Sequence, residues 1–267
     1  WIAASSRLSR CQPTVSFEIV GRKEDIRFYV WTPKSLKDLV EKQIHGAYPD
    51  AEVIEIDEYN IFSEKGKVAY KSLQLSRSNF YPLKTFKELP TDPLAALTSA
   101  LAKMGEGEAA AIQILVSPAD SSWQREGRSF IASTKKQEAD PEKAKFAVGA
   151  KTLEAVESKI GKPGFETMVR MVVVSETSEM AKTHLANISA AFEQFSGEFS
   201  GLKGRKIRSK GAFMEDFLYR YQPMFHILGN RPSVLNSEEL ATLIIFPINR
   251  SPPPIFTGFM PRRLQLQ

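Results

Sequence analysis

The chain has 267 residues but only one cysteine, Cys11, and three histidines. A single thiol cannot close an intramolecular disulfide. Cys11 also lies in a polar N-terminal segment expected to be poorly ordered, which argues against a catalytic thiol. His45, His184 and His226 are far apart in sequence and lack the spacing of a metal site. No apolar run approaches the ~18 residues that span a bilayer, and the first residues do not have the layout of a signal peptide. No G-x-x-x-x-G-K-[ST] loop occurs. The nearest stretches, GLKGRKIRSKG and GKPG, do not match it, so nucleotide hydrolysis of the usual kind has no phosphate cradle in this chain. The G-x-S-x-G elbow of serine hydrolases is absent as well. No catalytic constellation, metal site or cofactor is expected.

What is present is ordinary for a globular protein. Apolar residues make up 42% of the chain and charged residues 25%, with a formal net charge of +5. A chain of this length buries a sizeable core without disulfides or metals. The mild positive charge permits an anionic partner without requiring one.

Periodicity gives the element order. Residues 16–20 and 26–31 are two β-rich runs around a polar turn and read as a hairpin. Pro33 opens a helix with Leu36, Leu39, Val40, Ile44 and Ala47 at helical spacing. Residues 51–57 read as a strand, and 67–77 alternate strictly as another. The stretch DPLAALTSALAKMGEGEAAAIQILVSP, residues 92–118, is a helix and a strand joined by a Gly-Glu-Gly hinge. Asp92 is the expected N-cap with Pro93 in the first turn. Leu94, Leu97, Leu101 and Met104 form the expected buried stripe. The resulting β-α-β-β-α-β order is that of the ferredoxin-like arrangement.

Residues 119–163 are polar and Lys/Glu-rich and read as two helices broken at Asp140-Pro141, the second with Phe146, Leu153, Val156 and Ile160 on one face. Residues 165–174 form a strong strand and 179–195 a helix, with a short strand near 206–209. A short helix follows in AFMEDFLYRYQP. A last helix is capped by Asn236 or Ser237 and ends before Pro247. The expected class is α+β. Its expected parts are a disordered or juxtamembrane segment over 1–15, a ferredoxin-like unit over 16–118 and a helical insertion over 119–163. A second, less complete ferredoxin-like unit with the closing helix follows over 164–247, then a proline-rich linker or tail over 248–267. The triplet Pro252-Pro253-Pro254 favours extended polyproline II.

Few residues suggest a site. Asp50, Glu52, Glu55, Asp57 and Glu58 cluster at a helix exit and a strand, where alternation places Glu55 and Asp57 on a solvated face. Glu106 reads as a solvated turn residue. Phe28, Tyr29 and Trp31 are aromatic strand residues without the glycine-aromatic pattern of RNA-recognition sheets. The candidate for contact with nucleic-acid or lipid phosphates is the stretch holding Lys203, Arg205, Lys206, Arg208 and Lys210, with no acid between them.

Four stretches carry a family resemblance. They are EDIRFYVWTPKSLKDLVEKQIHGAYPDAEV, YPLKTFKELPTDPLAALTSALAKMGEGEAAAIQILVSP, SKIGKPGFETMVRMVVVS and LNSEELATLIIFP. In this order and spacing they resemble the N-terminal, non-motor region of bacterial type IV secretion and conjugative DNA-transfer ATPases of the HerA/FtsK-like class. The resemblance covers nearly the whole chain, from about residue 16 to 254. It implies a non-catalytic accessory or assembly domain whose P-loop motor is absent from this chain. The implied partners are a P-loop ATPase domain or motor subunit, further copies in an oligomer, DNA, and membrane or secretion-channel proteins. The implied location is cytoplasmic, with membrane association through a segment outside this chain. No catalytic residue carries over. A stand-alone nucleic-acid-binding module using 203–210 is the alternative expectation.

Overall fold

A computed structural model describes residues 13–49, 51–90, 92–139, 149–222, 232–244 and 255–259. Strands β1 (Val15–Arg22) and β2 (Asp25–Trp31) form the expected hairpin, with Glu24 at φ 57° in its tight turn. A 3-10 turn leads into α1 (Lys37–Ala47), then β3 (Glu52–Ile56) and β4 (Lys67–Leu75). Helix α2 (Pro93–Leu101) begins at Asp92, whose side chain accepts from the Leu94 N–H at 2.9 Å. Its stripe Leu94, Leu97 and Leu101, with Met104 beyond, is buried as the spacing predicts. Gly107, at φ 70°, makes the turn into β5 (Ala109–Pro118), a conformation that glycine adopts without strain.

Helices α3 (Ser122–Glu138) and α4 (Ala150–Ile160) follow, then β6 (Gly164–Ser175) and α5 (Ser178–Ala191), which ends in a 3-10 turn. The chain continues through β7 (Leu202–Gly204), α6 (Lys210–Leu218), β8 (Ser233–Asn236), α7 (Ser237–Ile244) and β9 (Ile255–Phe259).

All of these strands join one mostly antiparallel sheet in the order β3-β9-β2-β1-β5-β6-β4-β7, and β8 pairs with the start of β6. Only β9 pairs in parallel, with β2 on one side and β3 on the other. The class is therefore α+β, as expected. The strands expected in two units are interleaved in a single sheet, because β6 lies between β5 and β4. The run Met168–Ser175 is buried on both faces, so β6 suits a central position and no edge.

One face of the sheet, carrying Ile112, Ile114, Val169, Met171 and Val173, packs against α2, α5 and α7. The other face, carrying Val20, Tyr29, Ala111, Val172 and Val174, is covered by residues 59–62 and by Phe213 and Phe217 of α6. A third cluster, with Trp123, Val156 and Ile160, seats α3 and α4 against Phe80 and Val234.

Three further features differ from expectation. The strand near 206–209 lies at Leu202–Gly204 instead, since Arg205 N–H is the last of that edge to reach β4, through Ser72 O at 2.8 Å. Residues 255–259, read as part of a tail, form a sheet strand, and the β-branched and aromatic run IFTGF after the prolines is what permits it. Strand β8 was not anticipated. Helix α1 forms where the spacing places it; none of its residues is fully buried, Leu39 is exposed, and Ile44 packs half-buried against the core. The expectations for Cys11, Asp50, Asp140-Pro141, Phe146, His226 and Pro252-Pro253-Pro254, and for most of 1–15 and 248–267, fall outside the described residues.

Candidate functional site

The second sheet face carries a row of polar side chains where a core would be apolar. Register sets Glu18 of β1 beside Gln113 of β5, Gln113 beside Arg170 of β6, and Arg170 beside Ser72 of β4. All four are buried. A buried charge must be paired and hydrogen-bonded to be tolerated, and here the partners come from α6 and the residues after it. Arg220 donates to both oxygens of Glu18, Nε to Oε1 at 2.8 Å and Nη2 to Oε2 at 3.2 Å. Ser16, Tyr59 and Gln113 donate to the same carboxylate at 2.6–3.0 Å. Arg220 also reaches Glu58 at 2.9 Å.

Arg170 donates to Gln113 Oε1 and to the carbonyls of Asp216 and Tyr221. Burial pulls its guanidinium down to about 10. Burial opposes the charge of Arg220 too, but the Glu18 carboxylate outweighs it and holds that guanidinium above its ordinary value. Tyr59 is raised well above the ordinary phenol, first by burial and then by the adjacent carboxylate, so it stays a neutral donor. Sequence reasoning missed this row. Its signal was one charged or amide residue, Glu18, Gln113 and Arg170, inside each apolar strand, in VSFEIV, AAAIQILV and TMVRMVVV.

A second buried group surrounds Glu108. Its carboxylate accepts from Ser175 Oγ, from Gly105 N–H at 2.8 Å and from His184 Nε2 at 3.1 Å. Burial would raise Glu108, but these donors win and lower it. Serine and histidine both bond to the acid here, not to each other. The set is not a nucleophile activated by a base. Glu108 borders a cleft of about 280 Å³ whose other charges are also engaged: Lys23 pairs with Glu106 at 2.6 Å and Arg22 donates to Asn60 O. Among the described residues no cluster of ligands could hold a metal, and no helix is long and apolar enough to cross a membrane.

The expected carboxylates do not converge. Glu52, Glu55, Asp57 and Glu58 are exposed, with Glu55 paired to Lys37 at 2.6 Å. His45 is exposed and Tyr29 is buried beneath Tyr59, 4.8 Å between ring centroids, so no open aromatic sheet face exists there.

The expected basic stretch runs from edge strand β7, which holds Lys203, through the connection to the first residue of α6, Lys210. Lys203, Lys206, Arg208 and Lys210 are exposed, while Arg205 is half-buried and near enough to oppose the charge of Arg170. Burial lowers Arg205. Lys203 lies over Ser76 O at 3.1 Å. Ser209 caps α6 by accepting from Ala212 N–H. From that cap α6 crosses the sheet face, with Phe213 stacked on Tyr70 of β4 and Phe217 O bonded to Gln113 of β5. Three large side chains stand exposed where the crossing ends: Leu218, Tyr219 and Tyr221, at 46%, 51% and 55%.

A family model described as a domain of unknown function, DUF8128, matches residues 3–203. The match ends at the start of the basic stretch, before α6. No curated protein matches the chain.

Proposed function

The chain belongs to the DUF8128 family of domains of unknown function, and from that premise we propose that it is a non-catalytic accessory domain of a conjugation-type DNA-translocating ATPase. The observation that carries this reading is how its buried charges are used. Glu18, Glu108, Lys159, Arg170, Arg220 and Glu239 are all buried, and each is bonded to neighbours inside the fold. These groups fasten loops and helices to a sheet; Glu108 borders a cleft, but its carboxylate is engaged by Ser175, Gly105 and His184. A rigid platform for assembly is what such an arrangement supplies. The resemblance of the four stretches to the non-motor region of these ATPases supports the partner, a P-loop motor. The order of β4, α2, β5, β6, α5 and β7, with the sheet order β7-β4-β6-β5, supports reading residues 67–204 as the ferredoxin-like part.

The purified chain is expected to hydrolyse ATP no faster than background and to form species larger than a monomer in sedimentation velocity. Robust hydrolysis, or a strict monomer at every concentration, would overturn the assignment. The second reading is nucleic-acid contact through 203–210. It is favoured by one observation, the exposure of Lys203, Lys206, Arg208 and Lys210 along one continuous stretch from β7 to the start of α6.

A further inference from the structure

We propose that Tyr219 and Tyr221 form a stacking platform for the bases of a single-stranded nucleic acid whose phosphates lie along Lys206, Arg208 and Lys210. The proposal rests on the nucleic-acid reading of the basic stretch and adds to it the class of ligand and a second set of residues.

The two tyrosine rings lie 5.6 Å apart with 23° between their planes, stacked on each other, and each tyrosine is about half exposed to water. Their exposure is imposed by the backbone. Arg220 between them sits at φ 55°, an unfavourable conformation for a residue with a Cβ. It is held there by the two hydrogen bonds its guanidinium donates to buried Glu18. With Arg220 drawn inward, its two neighbours are turned outward. The main chain is tied as well: Tyr219 N–H donates to Glu215 O, Tyr221 N–H to Asp216 O, and Tyr221 O accepts from Arg170. The pair is thus pre-organised, which reduces the ordering entropy that binding must overcome.

Helix α6 connects the two parts. Lys210 is its first residue and Leu218 its last, so nine residues at 1.5 Å each separate the cations from the tyrosines by about 13 Å. A cationic groove for the backbone beside aromatic faces for the bases is the combination that recognises single strands. A duplex hides its base faces and would meet only the cations. Two exposed carboxylates oppose phosphates at the aromatic end: Glu215, on α6 one turn before Tyr219, and Glu58, paired with Arg220 at 2.9 Å. Phosphates are therefore kept to the cationic end while the bases reach the rings.

The test is fluorescence anisotropy of the whole chain with a labelled oligothymidylate of about twelve nucleotides, a length within the usual site sizes, and with a duplex of equal length. The single strand is expected to bind more tightly. Tyr219→Leu and Tyr221→Leu, which keep apolar bulk but remove the ring face, are each expected to weaken single-strand binding about tenfold and to leave duplex binding unchanged. Tyr219→Phe and Tyr221→Phe retain it. Glu215→Gln strengthens it. Lys206→Gln with Arg208→Gln weakens both ligands and flattens the salt dependence. Far-UV circular dichroism checks that each variant is folded, as exposed side chains permit. Single-strand binding that is indifferent to both leucine variants overturns the platform and leaves the cationic reading standing. Absence of binding to either ligand at low salt overturns the nucleic-acid reading and the platform with it.

Discussion

Lys159 and Glu239 are among the most deeply buried charged residues of the protein, and their side chains meet at 3.1 Å with no exposure of either. They are unequal partners. The Glu239 carboxylate also accepts from Leu83 N–H at 2.6 Å and from Asn236 N–H at 2.8 Å, while Asn236 Oδ1 accepts from Glu239 N–H at 2.9 Å. The last two bonds are a capping box closing the start of α7. Lys159 adds only Tyr81 O at 3.0 Å, and burial lowers its pKa against the pull of Glu239. Removing the acid therefore strands a buried ammonium and two backbone donors. Removing the ammonium leaves a carboxylate that still has its donors at a helix N-terminus. Glu239→Ala is expected to lower unfolding free energy by about 3–5 kcal/mol and Lys159→Met by less than half as much, measured by urea denaturation. Equal losses would contradict this division of roles. Asn236 and a following acid were legible in the sequence as a helix start. Their use as a buried clamp on residues 80–83 was not, because nothing local pairs 239 with 159.

At the scale of elements, periodicity works where an element meets the core by itself. Helix α2 is an example: Asp92, Pro93 and the Leu94, Leu97, Leu101 stripe all read correctly because cap and core lie within one helix. It is weaker for α1, whose apolar spacing is as regular but which sends only Ile44, half-buried, against the core and leaves Leu39 exposed. Helices α3 and α4 show a third case. The Leu153, Val156, Ile160 face was visible, but the surface they dock on was not. That surface depends on Gly164, the first residue of β6. A Cβ there would lie 2.5 Å from the Trp123 ring, so the indole of α3 packs directly on the strand. Gly164→Ala must displace Trp123, which is 3% exposed. The expected loss is about 1–3 kcal/mol, as for other overpacked sites, with a red shift in tryptophan emission as the helix pair loosens. Unchanged stability and emission would show that α3 has room to move.

At the scale of the molecule, the interleaving of strands decides how the chain folds. Strands β4 and β5 never touch; β6, from about 50 residues later in sequence, lies between them and pairs with both. A fragment of residues 16–118 would leave β5 with one open edge and β4 with none of its partners, exposing Leu73, Ile112 and Ile114. Such a fragment is expected to be insoluble or unfolded, read by loss of amide dispersion in a proton–nitrogen NMR spectrum. Dispersed, native-like signals from that fragment would mean that the first half is an independent unit.

The sequence alone determined the α+β class, most helices and strands, the cap at Asp92, a helix start at Asn236 or Ser237, and the cationic run at 203–210. Each depends on residues close together in the chain: a period, a capping side chain, a cluster of like charges. Tertiary structure alone decided the sheet order, the polar row of Glu18, Gln113 and Arg170, and the outward turn of Tyr219 and Tyr221. The reason is physical. A buried carboxylate and a buried guanidinium are tolerable only together, and Glu18 and Arg220 meet only once β1 and the end of α6 share one face of the sheet.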